Sequence, residues 1–199
     1  MAISPGTRLG AYEILTLVGV GGMGEVYKAR DTRLERIVAV KVLAGHLAGN
    51  TAARERFERE ARAVSALNHP NICTLHDVGE QDGVAFLVME FLDGETLADK
   101  LKRGPLSVDE SLELAIPLAD ALDKAHRAGV VHRDYKTGNI IDTKLGPKIT
   151  DYGLAKFGAA AQGGLDLSAL PTAEKPLTEK GAILGTFQYM APEQLEGKD

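Results

Sequence analysis

The segment H-R-D-Y-K-T-G-N at residues 132–139 is the most informative part of this chain, and D-Y-G follows at 151–153. Together the two segments supply aspartate and asparagine side chains, and carboxylate and amide oxygens are the hard ligands that Mg²⁺ prefers. A zinc site is disfavoured, because the chain has one cysteine and only scattered histidines. The two segments therefore favour magnesium over zinc.

A glycine-rich loop lies near the start of the chain. G-V-G-G-M-G-E-V at 19–26 joins two predicted strands. Glycines lack a Cβ atom, so they let the backbone approach phosphate groups closely and adopt positive φ. A dinucleotide-binding fingerprint or a P-loop would open a helix, so the strand-to-strand context disfavours both. Taken alone, the motif is explained at least as well by a glycine-rich hairpin that binds nothing.

Lys41 and Glu60 form a candidate ion pair. Lys41 ends V-A-V-K on a predicted strand, where a lysine could simply point to solvent. Glu60 lies between Phe57 and Val64 on the apolar face of a helix predicted at 52–67. An unpaired carboxylate would be costly there, so we expect Glu60 to pair with Lys41.

These motifs, with A-P-E at 191–193, occur in the order found in one family. The chain resembles the protein kinase family, and most of all the bacterial Ser/Thr kinases of eukaryotic type. The resemblance implies an α+β, two-lobed protein kinase-like fold. Residues 1–91 would form an N-lobe with a five-stranded antiparallel sheet and one helix. Residues 92–199 would form a partial, mainly helical C-lobe with an activation segment at 151–193.

The resemblance also implies catalytic roles. Asp134 would accept the proton of a substrate hydroxyl, and Lys136 would contact the γ-phosphate of ATP. The Lys41–Glu60 pair would orient Lys41 onto the α- and β-phosphates. Asn139 and Asp151 would hold Mg²⁺.

The resemblance assigns a nucleotide site to one group of residues. Val26, Ala39 and Ile141 would sandwich the adenine, and Met89 would guard the back of its pocket. Backbone groups at 90–92 would bind the adenine edge. The full set is Gly19, Val20, Gly21, Gly22, Gly24, Val26, Ala39, Lys41, Met89, Glu90, Leu92 and Ile141.

Three residues are candidates for regulation. The resemblance implies that Arg133 marks a kinase whose activation loop is ordered by a phosphate, and Thr178 is the preferred candidate for autophosphorylation. Thr186 matches the substrate-loop threonine that contacts the catalytic Asp and Lys.

The sequence departs from the family pattern at several positions. Tyr135, Thr137 and Tyr152 stand where the family usually has Leu, Pro and Phe. Tyr152 brings a hydroxyl that needs a partner if it is buried. Pro117 interrupts a predicted long helix.

Composition narrows the functional class. The chain has 199 residues, a hydrophobic fraction of 44% and a net charge of −5. It shows no basic stripe, which argues against nucleic acid as a partner. Cys73 is the only cysteine and fits a reducing compartment. The longest apolar run, at 84–89, is too short to span a membrane. We expect a cytoplasmic location, with any membrane anchor lying in regions outside this chain.

Periodicity predicts the secondary structure. Strands are expected at 12–19, 25–30, 36–43, 72–79 and 83–90. Ser107 and Glu110 form a predicted capping box for a helix ending at Gly129. One apolar face of that helix is traced by Leu112, Ala115, Ala119, Leu122 and His126.

The expected function is transfer of the ATP γ-phosphoryl group to Ser or Thr of protein substrates, with self-association for phosphorylation in trans. Alternatives are a small-molecule kinase and a non-catalytic nucleotide-binding module, either a pseudokinase or a truncated fragment. In the family that this chain resembles, a buried helix follows the position that corresponds to Asp199. The 199 residues alone are therefore expected to have little kinase activity.

Overall fold

The computed structural model describes residues 3–21, 24–43, 51–152 and 188–195. The first half contains one antiparallel sheet in the order β1-β2-β3-β4-β6-β5. The predicted strands are all present, and a two-residue strand, β1, adds to one edge. The strands are β1 Arg8–Leu9, β2 Tyr12–Gly21, β3 Gly24–Asp31, β4 Arg36–Leu43, β5 Leu75–Gln81 and β6 Val84–Glu90.

Residues 72–74 are an exception to the predicted strands, because β5 begins only at Leu75. Ile72 instead forms a parallel bridge with Ile149, and the amide of Cys73 donates to the carbonyl of Ile149 at 2.8 Å. The backbone of this stretch therefore bonds to a distant segment as well as to the sheet, since the carbonyl of Thr74 accepts from the amide of Glu90 in β6 at 2.9 Å.

Side-chain alternation along β4 separates two hydrophobic cores. Val38 and Val40 belong to a core on one face of the sheet. Ala39 belongs to the core on the other face, which includes Phe57 and Val64 of helix α1, Thr51–Ser65. Lys41 is two residues after Ala39 and therefore lies on the α1 side.

The second half begins with a short strand and is mainly helical. A small sheet has the order β7-β8-β9. Among the described residues, no helix is long and apolar enough to cross a membrane. The elements are β7 Gly94–Thr96, α2 Leu97–Leu101, α3 Val108–Arg127, a 3-10 helix Thr137–Asn139, β8 Ile140–Thr143, β9 Gly146–Ile149 and α4 Pro192–Leu195.

Helix α3 confirms the predicted ends but not the predicted face. The Ser107–Glu110 capping box is present, and Gly129 adopts φ +74° just past the end. The helix runs through Pro117. The buried side chains are Leu114, Leu118, Ala121 and Ala125, whereas Leu112 of the predicted face is 51% exposed. Apolar residues occur on several sides of this helix, so spacing alone identified the wrong stripe.

Gly94 offers a test of the packing between β7 and β8. A Cβ atom at this position would lie 2.3 Å from the backbone oxygen of Asp142. We expect Gly94→Ala to lower the free energy of unfolding by about 1–3 kcal/mol, because the clash is with backbone that has to shift. Urea unfolding measures the change.

Gly138→Ala is the matched control, because a Cβ atom there meets nothing within 4 Å. Its free energy of unfolding should stay close to that of the wild type. Equal stability of the two variants would contradict the packing argument for Gly94.

Candidate active site

A buried ion pair joins β4 to the segment after β9. Lys41 Nζ lies 2.7 Å from Asp151 Oδ2, and the two side chains are 5% and 20% exposed. Asp151 adopts φ +62°, a conformation uncommon outside glycine that clusters at functional sites. The pair joins a predicted phosphate-binding lysine to a predicted magnesium ligand.

Glu60 does not pair with Lys41 in this structure, so the expected ion pair is absent here. Glu60 Oε2 is buried and has no hydrogen-bond partner among the described residues. The physical reason is competition, because the ammonium of Lys41 is taken by the carboxylate of Asp151. An unsatisfied buried acceptor costs on the order of 1–3 kcal/mol, so Glu60 favours any change that brings it a donor.

The catalytic-loop candidates converge as the sequence suggests. Asp134 is buried, and its Oδ2 lies 2.8 Å from Lys136 Nζ. Asn139 Nδ2 donates to the backbone oxygen of Asp134 at 2.8 Å and to its Oδ2 at 3.0 Å. The carboxylate is therefore fixed by one cation and one amide, with the asparagine's amide oxygen left to bind a metal ion.

His132 positions this loop, although the sequence reasoning gave it no role. The amide of Asp134 donates to His132 Nδ1 at 3.2 Å, and His132 Nε2 lies 2.8 Å from the carbonyl oxygen of Thr150. Because a carbonyl only accepts, the ring carries a proton on Nε2, and because Nδ1 accepts from an amide, the ring is neutral. Burial lowers the pKa of His132. The signal available in the sequence was its place two residues before Asp134.

Tyr152 lies against His132, with ring centroids 4.7 Å apart. It is 2% exposed, and its hydroxyl has no hydrogen-bond partner among the described residues. Burial raises the pKa of Tyr152. The ring lines a cavity of about 20 Å³ together with Val64, Cys73, Leu75, Met89 and Asp151. The partner expected for a buried hydroxyl is therefore not supplied by the described residues.

The six-stranded sheet carries Val26, Ala39 and Met89 on its α1 side, whereas Ile141 lies on β8 of the small sheet. Val26 is opposite Lys41 in the β3–β4 register, and Ala39 is opposite Met89 in the β4–β6 register. Ala39 and Met89 are both buried. Leu92 and Ile141 are half-buried.

Glu90 is held by a contact that the sequence reasoning missed. Its Oε1 lies 2.7 Å from Lys148 Nζ and accepts from the amide of Thr74 at 3.2 Å. This ion pair connects the end of β6 to β9, and a lone lysine on a short strand gave no sequence signal for it.

The glycine loop connects β2 and β3 as expected. Gly19 and Gly21 lie on β2, and Gly24 begins β3 with φ +130°. Val20 is 71% exposed, so its side chain is free to cover a ligand.

Of the three regulatory candidates, the structure describes Arg133. Arg133 is exposed with φ +64°. Gly22, Thr178 and Thr186 lie outside the described residues.

The residues that could hold magnesium are few. Among the described residues, no group of three or more His, Cys, Asp or Glu side chains could hold a metal ion. Mg²⁺ is commonly bound by one or two carboxylates plus substrate phosphates. Asp151 and Asn139 fit that mode, because each supplies an oxygen ligand.

Comparisons with known proteins point to one family. A family model described as "Protein kinase domain" matches residues 12–199. Serine/threonine-protein kinase PknA of Mycobacterium tuberculosis is 44% identical over 97% of this chain and 43% of its own length. Serine/threonine-protein kinase PknD of the same species is 39% identical over 98% of this chain and 27% of its own. The chain thus spans less than half the length of these relatives.

Solved structures show the same fold. The kinase domain of PknI of Mycobacterium tuberculosis, crystallised as a single-site mutant, superposes with a TM-score of 0.76 at 29% identity. The match covers 100% of this chain and 70% of that one. A second crystal structure of the PknI kinase domain gives a TM-score of 0.69 at 34% identity, covering 76% of this chain and 62% of that one.

The neutral state of His132 predicts a pH dependence of stability. The pKa of His132 is lowered by folding, so the unfolded chain, with a histidine pKa near 6.5, takes up the proton first. The contribution of neutral His132 to the free energy of unfolding is complete above pH ~6.5. It is lost as the pH falls towards the lower pKa of His132 in the folded state.

NMR titration of the His132 ring measures this pKa directly. We expect the ring to remain neutral at pH values where histidine in an unstructured peptide is half protonated. Urea unfolding at pH 7.5 and 5.5 should show a smaller loss of stability for His132→Phe than for the wild type. A His132 pKa at or above the peptide value would contradict the assignment.

Proposed function

Because the chain belongs to the protein kinase domain family, we propose that it transfers the γ-phosphoryl group of ATP to Ser or Thr hydroxyls of proteins. The observation that carries this proposal is the buried Asp134 carboxylate, held at hydrogen-bond distance by Lys136 and Asn139. The names of relatives such as PknA support the choice of Ser and Thr as acceptors.

Asp134 is the proposed proton acceptor. As the hydroxyl oxygen of the acceptor forms its bond to the γ-phosphorus, the bond from that phosphorus to the departing ADP oxygen breaks, and the hydroxyl proton passes to Asp134. The hydrogen bonds from Lys136 and Asn139 aim the carboxylate at a single position. Lys136 is 27% exposed, so its ammonium can also reach a phosphoryl oxygen and stabilise its charge.

Lys41 and Asp151 are the proposed nucleotide ligands. Nucleotide binding would separate them, because the ammonium is needed at the phosphates and the carboxylate at Mg²⁺. Glu60 Oε2 is buried on the α1 side of the sheet and lacks a partner among the described residues, which supports the role of Glu60 as the new partner of Lys41. Bound magnesium would neutralise phosphate charge.

The cellular setting is also a proposal. Transfer would take place in the cytoplasm, and self-association would let one copy phosphorylate Thr178 of another. Arg133, exposed beside Asp134, supports this regulation, because arginine binds a phosphate group in bidentate fashion.

Nucleotide binding can be tested by thermal unfolding. We expect saturating ATP with Mg²⁺ to raise the Tm by on the order of 5 °C, because a ligand that prefers the folded state stabilises it. Lys41→Ala with Asp151→Asn should abolish the shift relative to the variant's own unliganded Tm. Lys102→Ala, which removes an exposed lysine, is the control. An unchanged shift in the double variant would remove both residues from the site.

The role of Asp134 can be tested by turnover. Asp134→Asn, in the protein as its gene encodes it, should lower kcat by roughly 10²-fold or more, while ATP affinity remains near the wild-type value. Phosphorylation of a Ser- or Thr-containing protein measures kcat.

Asp82→Asn removes the same charge from the exposed β5–β6 turn and should leave kcat unchanged. Full turnover by Asp134→Asn would show that another group accepts the proton.

A further inference from the structure

Two side-chain hydrogen bonds connect the catalytic loop to residues 188–195. Thr137 Oγ1 lies 3.1 Å from the hydroxyl oxygen of Tyr189. Gln194 Nε2 donates to the carbonyl oxygen of Arg133 at 2.8 Å. The partners are 52 and 61 residues apart in sequence, so these bonds fix one segment against another that is remote along the chain.

Thr137 is directly linked to the proposed chemistry. It follows Lys136, whose ammonium contacts Asp134, and it begins the 3-10 helix that ends at Asn139. The amide of Asn139 donates to the carbonyl of Lys136 at 2.9 Å. This short turn therefore transmits any displacement of Thr137 to the residues on either side of it.

The two ends of the 3-10 helix face different parts of the site. At its Asn139 end, the amide of Thr150 donates to the carbonyl of Asn139 at 2.8 Å, immediately before Asp151. At its Thr137 end, the contact is with Tyr189. The first end therefore belongs to the proposed nucleotide side, and the second faces the segment that leads into A-P-E.

We propose that Thr137 is a positioning residue for the protein acceptor: its hydroxyl holds Tyr189 and so sets the distance between residues 188–195 and Asp134. This inference rests on the proposed function. The proline that the resemblance leads one to expect at this position has no hydroxyl, so the bond depends on this chain's own residue. Tyr189 remains 47% exposed, which leaves its ring accessible to an acceptor.

The bond should affect acceptor binding more than global stability. Both partners are partly exposed to water, so each hydroxyl can bond to solvent when the bond is lost, and the loss costs no more than the net worth of one hydrogen bond, about fivefold in an equilibrium constant. Residues 188–195 would then be connected to the catalytic loop through the Gln194 hydrogen bond. An acceptor would have to order these residues when it binds.

The test uses three single variants in the protein as its gene encodes it. Thr137→Val keeps the side-chain shape without the hydroxyl, Thr137→Ser keeps the hydroxyl, and Tyr189→Phe removes the partner hydroxyl. Thr137→Val and Tyr189→Phe should each raise the KM for a Ser-containing peptide by about fivefold, the worth of a typical hydrogen bond. The KM for ATP should change by less than about twofold.

Two comparisons separate positioning from a general structural defect. Thr137→Ser should restore the peptide KM, and the double variant Thr137→Val with Tyr189→Phe should be no worse than either single variant. A KM that rises equally in Thr137→Ser and Thr137→Val, or additive effects in the double variant, would overturn the proposal.

A measurement that needs no turnover keeps the two proposals distinguishable. Hydrogen exchange of the peptide covering 188–195 should be faster in Thr137→Val than in the wild type and in Thr137→Ser. If the wild type transfers no phosphoryl group but this difference appears, the proposed function fails and the Thr137 tether stands. If exchange is the same in all three proteins, the tether is overturned whatever the activity.

Discussion

Lys41 carries its positive charge on a side chain that is only 5% exposed, and the Asp151 carboxylate 2.7 Å away makes this burial tolerable. Removing a charge from water is expensive unless a counter-charge with good geometry replaces the water. The ion pair therefore holds β4 against the residue that follows Thr150, and it joins the sheet to the second half of the chain. Glu60, whose Oε2 is buried without a partner among the described residues, is a second carboxylate on the same side of the sheet. The structure pairs Lys41 with Asp151, whereas the proposed nucleotide chemistry requires Lys41 to pair with Glu60.

The Asp134 cluster meets a different requirement, because the proposed proton acceptor has to be fixed in place without being neutralised. Its Oδ2 receives Lys136 and Asn139, and its amide is bound by a histidine whose pKa is lowered by burial, which keeps the ring neutral. A charged His132 could not accept from that amide, so protonation would release the backbone that carries Asp134. The same histidine contacts the carbonyl of Thr150. The acidic residues at 134 and 151 are thus positioned through one uncharged ring.

Local signals in the sequence were reliable wherever local interactions determine the structure. Strand β4 and the Ser107 cap appear at the predicted residues, because alternation and capping are properties of neighbouring residues. Helix α3 shows where this fails. Its apolar side chains include exposed Val108, Leu112 and Ile116 as well as the buried stripe, and only tertiary contacts select between them. The Lys41–Glu60 pairing failed for a related reason, because the choice between two acids depends on the conformation of Asp151. Similarly, the carbonyl of Ile149 accepts a hydrogen bond from the amide of Cys73, and β5 begins only at Leu75.

The residues at 135, 137 and 152, which depart from the family pattern, all make contacts around the site in the structure. Tyr135 and Tyr152 both pack against His132, with ring centroids 5.8 Å and 4.7 Å away, and Thr137 bonds Tyr189. None of them replaces a charged group of the site, and all of them contact or adjoin residues that hold those groups. The buried Tyr152 hydroxyl has no hydrogen-bond partner among the described residues, and an unpaired buried hydroxyl costs free energy. Substitutions of this kind change how firmly the catalytic loop is held while leaving the charged groups in place. They are therefore expected to adjust the rate and acceptor preference of the site without removing its chemistry.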